Sequence, residues 1–225
     1  MSWQQYLARD PSHFVERVDV VPWVRAYFHG DALRGVGPFT GGFFDDLGHR
    51  GVPDPAPDQF TPADLLALQM LDARIATEQI PWLLEDPQVG ALLARIPFDA
   101  PIWDVDAPVL PEPWQLWDVL HDRHGLGETT ASKLLARKRP HLMPVIDATL
   151  RDALRPTRPS GAWLWLGLRE RLREPDLRDR LTDIAIEADG PNLSLLRVLD
   201  VAIRMPDMEW RRREHGGADR ALFVP

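Results

Sequence analysis

The chain has 225 residues, enough for one domain or two small packed lobes with a real core, and it has no cysteine, which excludes disulfide scaffolds, thiolate-bound zinc, iron-sulfur clusters and thiol nucleophiles. The formal net charge of -8 is unevenly spread: residues 1–132 carry 8 Arg and no Lys against 20 Asp and Glu, while residues 133–180 carry 12 Lys and Arg against 6 Asp and Glu. So acidic a total binds nucleic acid poorly by general attraction, but a local positive face can still take a phosphate backbone if the acidic parts fold away from it.

Nine Trp and 22 Pro stand out, the prolines at about twice the usual frequency of ~5%. They predict many short helices rather than a few long ones. Residues 12–28 read as a short helix that restarts or kinks at Pro22. Residues 30–60 hold Gly30, Gly35, Gly37, Gly41, Gly42, Gly48 and Gly51 before PDPAPD, which predicts an extended excursion with a short hairpin around GGFF. No G-K-[ST] ending follows, so nothing marks a phosphate loop.

From Phe60 the helix signals become regular. Thr61 caps, Pro62 suits the first turn, Asp64 completes a capping box, and Leu65, Leu68, Leu71 and Ile75 recur at helical spacing, predicting a helix over 62–76. Asp86 and Pro87 start the next, over 87–95. Further helices are expected from Pro111–Pro113 to about His124, then over 129–137, 148–155, 160–173, 175–188 and 192–205. The result is an all-α chain of eight to ten short helices: an N-terminal helix with a Gly/Pro-rich extension over 1–60, a core over 61–205, and a frayed tail over 206–225. Trp114, Trp117, Trp163 and Trp165 are expected to be mostly core.

The most informative stretch is HGLGETTASKLLARKRPHLMPVIDATL, His124 to Leu150. Gly125 and Gly127 bracket Leu126 between two helices, a turn whose main-chain amides can grip a phosphate beside a helix start. Lys133 and Arg137, four apart, could extend that grip, while Ala131, Leu134 and Leu135 pack the helix pair. Read as residues alone, an ordinary glycine-turned helix pair explains the stretch equally well, and Asp147 before ATLRDAL reads as a helix cap.

Gly125 to Ser132, G-L-G-E-T-T-A-S, resembles the hairpin G-[VIL]-G-x-x-T-A of the helix-hairpin-helix DNA glycosylase superfamily that includes endonuclease III. In that family the catalytic Asp typically lies 20 residues past the second glycine, here at Asp147. The run SKLLARKRPHLMPVID, with FFDDL and SLLRVLD, further resembles an uncharacterised actinobacterial family. The resemblance implies a glycosylase-like core with its hairpin at 115–137 and duplex DNA as partner through phosphate contacts. Gly125, Leu126, Gly127 and Thr130 would hold the DNA backbone and Asp147 would stabilise an oxocarbenium-like sugar or align water. Members that cleave the strand carry Lys where this chain has Thr129, so the implied chemistry is a monofunctional N-glycosylase without cofactor. The alternative is a noncatalytic binding or interaction protein on the same fold.

A glycosylase must flip its base and fill the gap, for which Trp114, Trp117, Met143 and Trp82 are the candidates. Asp118, His121 and His124 form a nominal metal cluster without a complete ligand motif, and no metal is expected. The pairs Asp45/Asp46 and Asp104/Asp106 read as turn and cap residues. No segment approaches the ~18 apolar residues of a membrane span, and the N-terminus lacks the basic start and apolar run of a signal peptide, so a cytoplasmic location is expected.

Overall fold

The computed structural model describes residues 2–31, 38–49, 52–105, 111–190 and 192–214, without the side chains of 111–113 and 207–214. Among them are eleven α-helices and no strand: α1 Ser12–Val15, α2 Val20–His29, α3 Pro62–Gln69, α4 Ile80–Glu85, α5 Pro87–Ala94, α6 Pro111–His121, α7 Glu128–Lys138, α8 Ala148–Leu154, α9 Gly161–Leu172, α10 Pro175–Glu187 and α11 Leu195–Glu214. The fold is all-α, as expected. The count exceeds the expected range because α1 and α2 are separate helices and because α4, begun by Pro81, escaped the apolar pattern.

Local chemistry explains where helices start. The Thr61 hydroxyl accepts from the Asp64 amide while the Asp64 carboxylate accepts from the Thr61 amide at 2.8 Å, a complete capping box in front of Pro62. Asp86 accepts from the Gln88 amide at 2.8 Å and Pro87 occupies the first turn of α5.

Several boundaries differ from expectation. Pro22 does not interrupt the first helical stretch; the break falls between Val15 and Val20, and Pro22 sits in the first turn of α2, where no amide is needed. α3 stops at Gln69 rather than 76, because Asp72 turns into the left-handed region at φ 55° and the Ala73 amide closes back on the Leu68 carbonyl. Around GGFF the chain forms a 3-10 turn, Thr40–Phe43, not a hairpin. There the Tyr27 carbonyl accepts from the Phe39 amide at 3.0 Å, and a Cβ on Gly42 would lie 2.7 Å from that same oxygen. Residues 32–37 of the glycine-rich stretch, with Gly35 and Gly37, lie outside the described residues, as do Gly51 and Asp106. Finally, α11 runs through Pro206 to Glu214, so 206–214 is helix rather than tail; the proline's missing donor affects only the Ala202 carbonyl.

The chain divides into two compact units, Met1–Phe43 with Ala148–Pro225, and Phe44–Asp147. The expected boundary at 60/61 therefore falls inside the second unit. Residues 44–58 belong there because they supply carbonyls and carboxylates to the cations of α7 and to Arg139 just past it. In the first unit α2 packs on α10 and α11, α8 packs on α11, and α9 packs on the 3-10 turn Trp3–Gln5. Gly167 of α9 admits Leu7, whose Cγ would lie 2.4 Å from an added Cβ. In the second unit α7 packs against α3 and α6, and α6 against α5.

Candidate nucleic-acid interface and the buried cations beside it

The turn between α6 and α7 uses its two glycines differently. Gly125 has φ 80° and its added Cβ would meet the Ala76 methyl at 2.7 Å, so the fold itself demands glycine. Gly127 has ordinary extended angles, is exposed, and nothing lies within 4 Å of an added Cβ. It occupies the N-cap position of α7 and, lacking a side chain, makes no side-chain cap, with Glu128 the acidic residue of the first turn. Leu126 is fully buried and anchors the turn. The main chain at the start of α7 thus has open space on the side where Gly127 lacks a Cβ, which leaves room for a ligand to approach it.

Lys133 and Arg137 do not extend this surface. Both are only 6% exposed. Lys133 Nζ donates to the Leu71 carbonyl, and the Arg137 guanidinium donates to Asp64 Oδ1 at 3.0 Å and to the carbonyls of Phe44 and Leu47. Their assignment to phosphate is corrected accordingly: α7 turns these cations toward acceptors inside its own unit, which satisfy them.

The next two cations follow the same rule. Lys138 Nζ lies 2.8 Å from both Asp64 Oδ2 and Asp54 Oδ2. Arg139 is fully buried and donates to Asp58 at 2.7 Å and to the carbonyls of Ile96, Pro57 and Leu93. Burial alone would raise the Asp54 pKa, but hydrogen bonds from Lys138 and the Ala56 amide hold it below the usual carboxylate range. Burial lowers the Arg139 pKa against the opposing pull of Asp58. The basic segment 133–180 is, over 133–139, an internal charge network.

Ser132 makes a contact the sequence did not reveal. Its hydroxyl accepts from the Ile146 amide at 3.0 Å and lies 3.0 Å from the Ile146 carbonyl and 2.9 Å from the Thr129 carbonyl. The helix that carries the hairpin therefore holds the chain one residue before Asp147. A hydroxyl seven residues into the stretch from Leu126 gave no pattern to detect; its position on the buried face of α7 was the one available hint. Asp147 immediately precedes α8, is 9% exposed, and ends the second unit.

The base-filling candidates separate by burial. Met143 is 1% exposed and Trp117 is 7% exposed, both core, which removes them as wedges unless the core opens. Trp114 is half-buried and stacks edge-on against Trp117 with ring centroids 5.7 Å apart. Trp82 is also half-buried, with the Arg123 guanidinium 4.0 Å over its ring. Among the four tryptophans expected in the core, Trp165 and Trp117 are buried, while Trp114 and Trp163 are partly exposed.

His121 and His124 are exposed and face different acids, Asp122 at 3.7 Å and Glu78 at 3.8 Å. Among the described residues no group of three His, Cys, Asp or Glu side chains is placed to hold a metal ion, and no helix is long and apolar enough to cross a membrane.

Residues 20–207 match the model of a family described as a family of unknown function, DUF6308. No curated protein and no solved structure matches the chain.

Proposed function

We propose, for a chain that belongs to the DUF6308 family, a glycosylase-like helix-hairpin-helix role: the main chain at 127–130 holds a nucleic-acid phosphate, and Asp147 supplies the carboxylate for metal-free release of a base. The observation that carries the reading is Gly127. It stands exposed at an uncapped helix start, and nothing in the packing around it requires glycine. Close approach of a ligand to the backbone would require it.

In this role Ser132 is a positioning residue. It fixes Ile146 against the hairpin helix and so sets where Asp147 stands relative to the phosphate grip. In the reaction the C1′–N bond would break with its electron pair leaving on the base while the carboxylate stabilises the positive charge developing on the sugar, and water would add its oxygen to C1′ as its proton passes to the released base. With the α7 cations internal, phosphate attraction rests on neutral amides, and the expected salt dependence is shallow.

The test uses Gly127→Asp. An aspartate suits the N-cap position, so the variant should fold at least as stably, yet its carboxylate occupies the anion site. Fluorescence anisotropy on labelled duplex at low salt should show binding by the unmodified protein and about tenfold weaker binding or less by the variant. Equal binding by both rejects the hairpin as the contact. Asp147→Asn, screened for base release on duplexes with alkylated, deaminated, oxidised and mismatched bases, should retain binding and lose release. Release unaffected by the substitution rejects Asp147 as the catalytic carboxylate.

A second reading is favoured by the 9% exposure of Asp147 and by the internal neutralisation of residues 133–139. It is a noncatalytic binding or interaction protein that keeps the hairpin and uses Asp147 structurally. Hairpin-dependent duplex binding with no base release from any lesion would select it.

A further inference from the structure

Not every arginine of the basic segment 133–180 is internal. At the end of α8 a cleft of about 460 Å³ is lined by Arg151, Asp152, Arg155, Pro156 and Pro159. Arg155 is exposed, and among the described residues its guanidinium meets no acid; the same holds for exposed Arg9. The Arg9 amide donates to the Leu154 carbonyl at 3.2 Å and the Ala8 amide to the Arg155 carbonyl at 3.0 Å, so the two arginines belong to neighbouring segments of main chain. Leu7 and Pro156 form the bridge that fixes this pairing. Arg158, beside lining residue Pro159, lies with its guanidinium 4.2 Å over the Trp163 ring.

Arg155 also has φ 50°. It follows the last residue of α8, the position where glycine is the usual choice because a Cβ is strained there. An arginine held in that conformation on the rim of a cleft is a placement that stability does not favour. Arg151, in the last turn of α8, and Arg155, just past its end, both line the cleft. Paired guanidinium forks match phosphate oxygens, the two prolines give a rigid apolar wall, and the Asp152 carboxylate can accept from a sugar hydroxyl.

We propose that this cleft binds a nucleotide, with its phosphate on Arg151 and Arg155 and its sugar toward Asp152, either as a free nucleoside monophosphate or as a residue of a polynucleotide strand. The site lies wholly within the first unit and stands apart from the hairpin reading. Neither depends on the other.

The experiment is isothermal titration of the full chain with inorganic phosphate, adenosine monophosphate and a short single-stranded oligonucleotide. Arg155→Gly removes the charge while relieving the backbone, so it should melt no lower than the unmodified protein. We expect saturable binding of the mononucleotide, weakened at least about tenfold by Arg155→Gly and restored in part by Arg155→Lys. Oligonucleotide binding with the same dependence identifies a strand as the source; mononucleotide binding alone identifies a free nucleotide. The proposal is overturned by equal binding in Arg155→Gly, by absence of saturable binding of either nucleotide probe up to about 1 mM, or by inorganic phosphate binding as tightly as the mononucleotide. Loss of nucleotide binding in Gly127→Asp would overturn it too, since the ligand would then sit on the hairpin.

Discussion

A single carboxylate, Asp64, joins helix initiation to charge burial. It caps α3 through Thr61 and faces both Arg137 and Lys138, with all three charged side chains at most 2% exposed. Replacing Asp64 with Ala removes the carboxylate half of the capping box, takes the carboxylate from buried Arg137 and leaves Lys138 with Asp54 as its acid, which should destabilise by about 3–5 kcal/mol. Urea titration of Asp64→Ala would measure this as a lower midpoint with an unchanged slope. His141 provides a pH counterpart. Burial, opposed by the Asp99 charge, holds its pKa below the ordinary 6.5. The folded state therefore binds fewer protons than the unfolded chain as the pH falls below 6.5, and stability drops over that range while being fully present above it. Comparing urea midpoints at about pH 7.5 and about pH 5.5 should show a larger acid loss in the unmodified protein than in His141→Gln.

At the level of helices, the starts were legible because capping is local: Thr61, Pro62 and Asp64 announce α3, and Asp86 with Pro87 announce α5. The orientation of α7 was not. A helix with basic residues on several sides shows no internal sign of which ones point inward, and the partner that decides for Arg137 lies 73 positions away at Asp64. The acidic character of residues 1–132 against the basic 133–180 is visible in the sequence, but the charge count is the same whether the cations of 133–139 form an exposed face or pair internally, and it is Asp54, Asp58 and Asp64 that decide for pairing. Gly125–Leu126–Gly127 and the start of α7 were legible for the opposite reason, since a two-glycine turn needs no distant partner. Close approach of elements also makes a prediction. Gly167 of α9 receives the buried Leu7 side chain with no room for a methyl group, so Gly167→Ala should cost about 1–3 kcal/mol despite its higher helix propensity. A lowered melting temperature by circular dichroism would register it.

Across the whole chain, the two units differ in how their sequence is arranged. Phe44–Asp147 is continuous, whereas the other unit is assembled from both ends of the chain. Arg197 of α11 donates to the Tyr27 hydroxyl at 3.2 Å across 170 positions and to the Gly41 carbonyl at 2.7 Å, and burial raises the pKa of that tyrosine. The continuous unit contains its own cores around α3 and α7 and its own charge network, so residues 44–147 expressed alone should give a helical spectrum and a cooperative melt. A noncooperative melt would show that it depends on the rest of the chain. During synthesis, then, α2 emerges well before its packing partners α10 and α11. Tyr27 and its apolar neighbours Val20 and Val24 leave the ribosome before α10 and α11 have been translated, while the continuous middle segment can close in between. The apolar face of α2 is thus open to chaperones and to mispairing with other nascent chains until then, and the rate at which the last third is translated sets how long that window stays open.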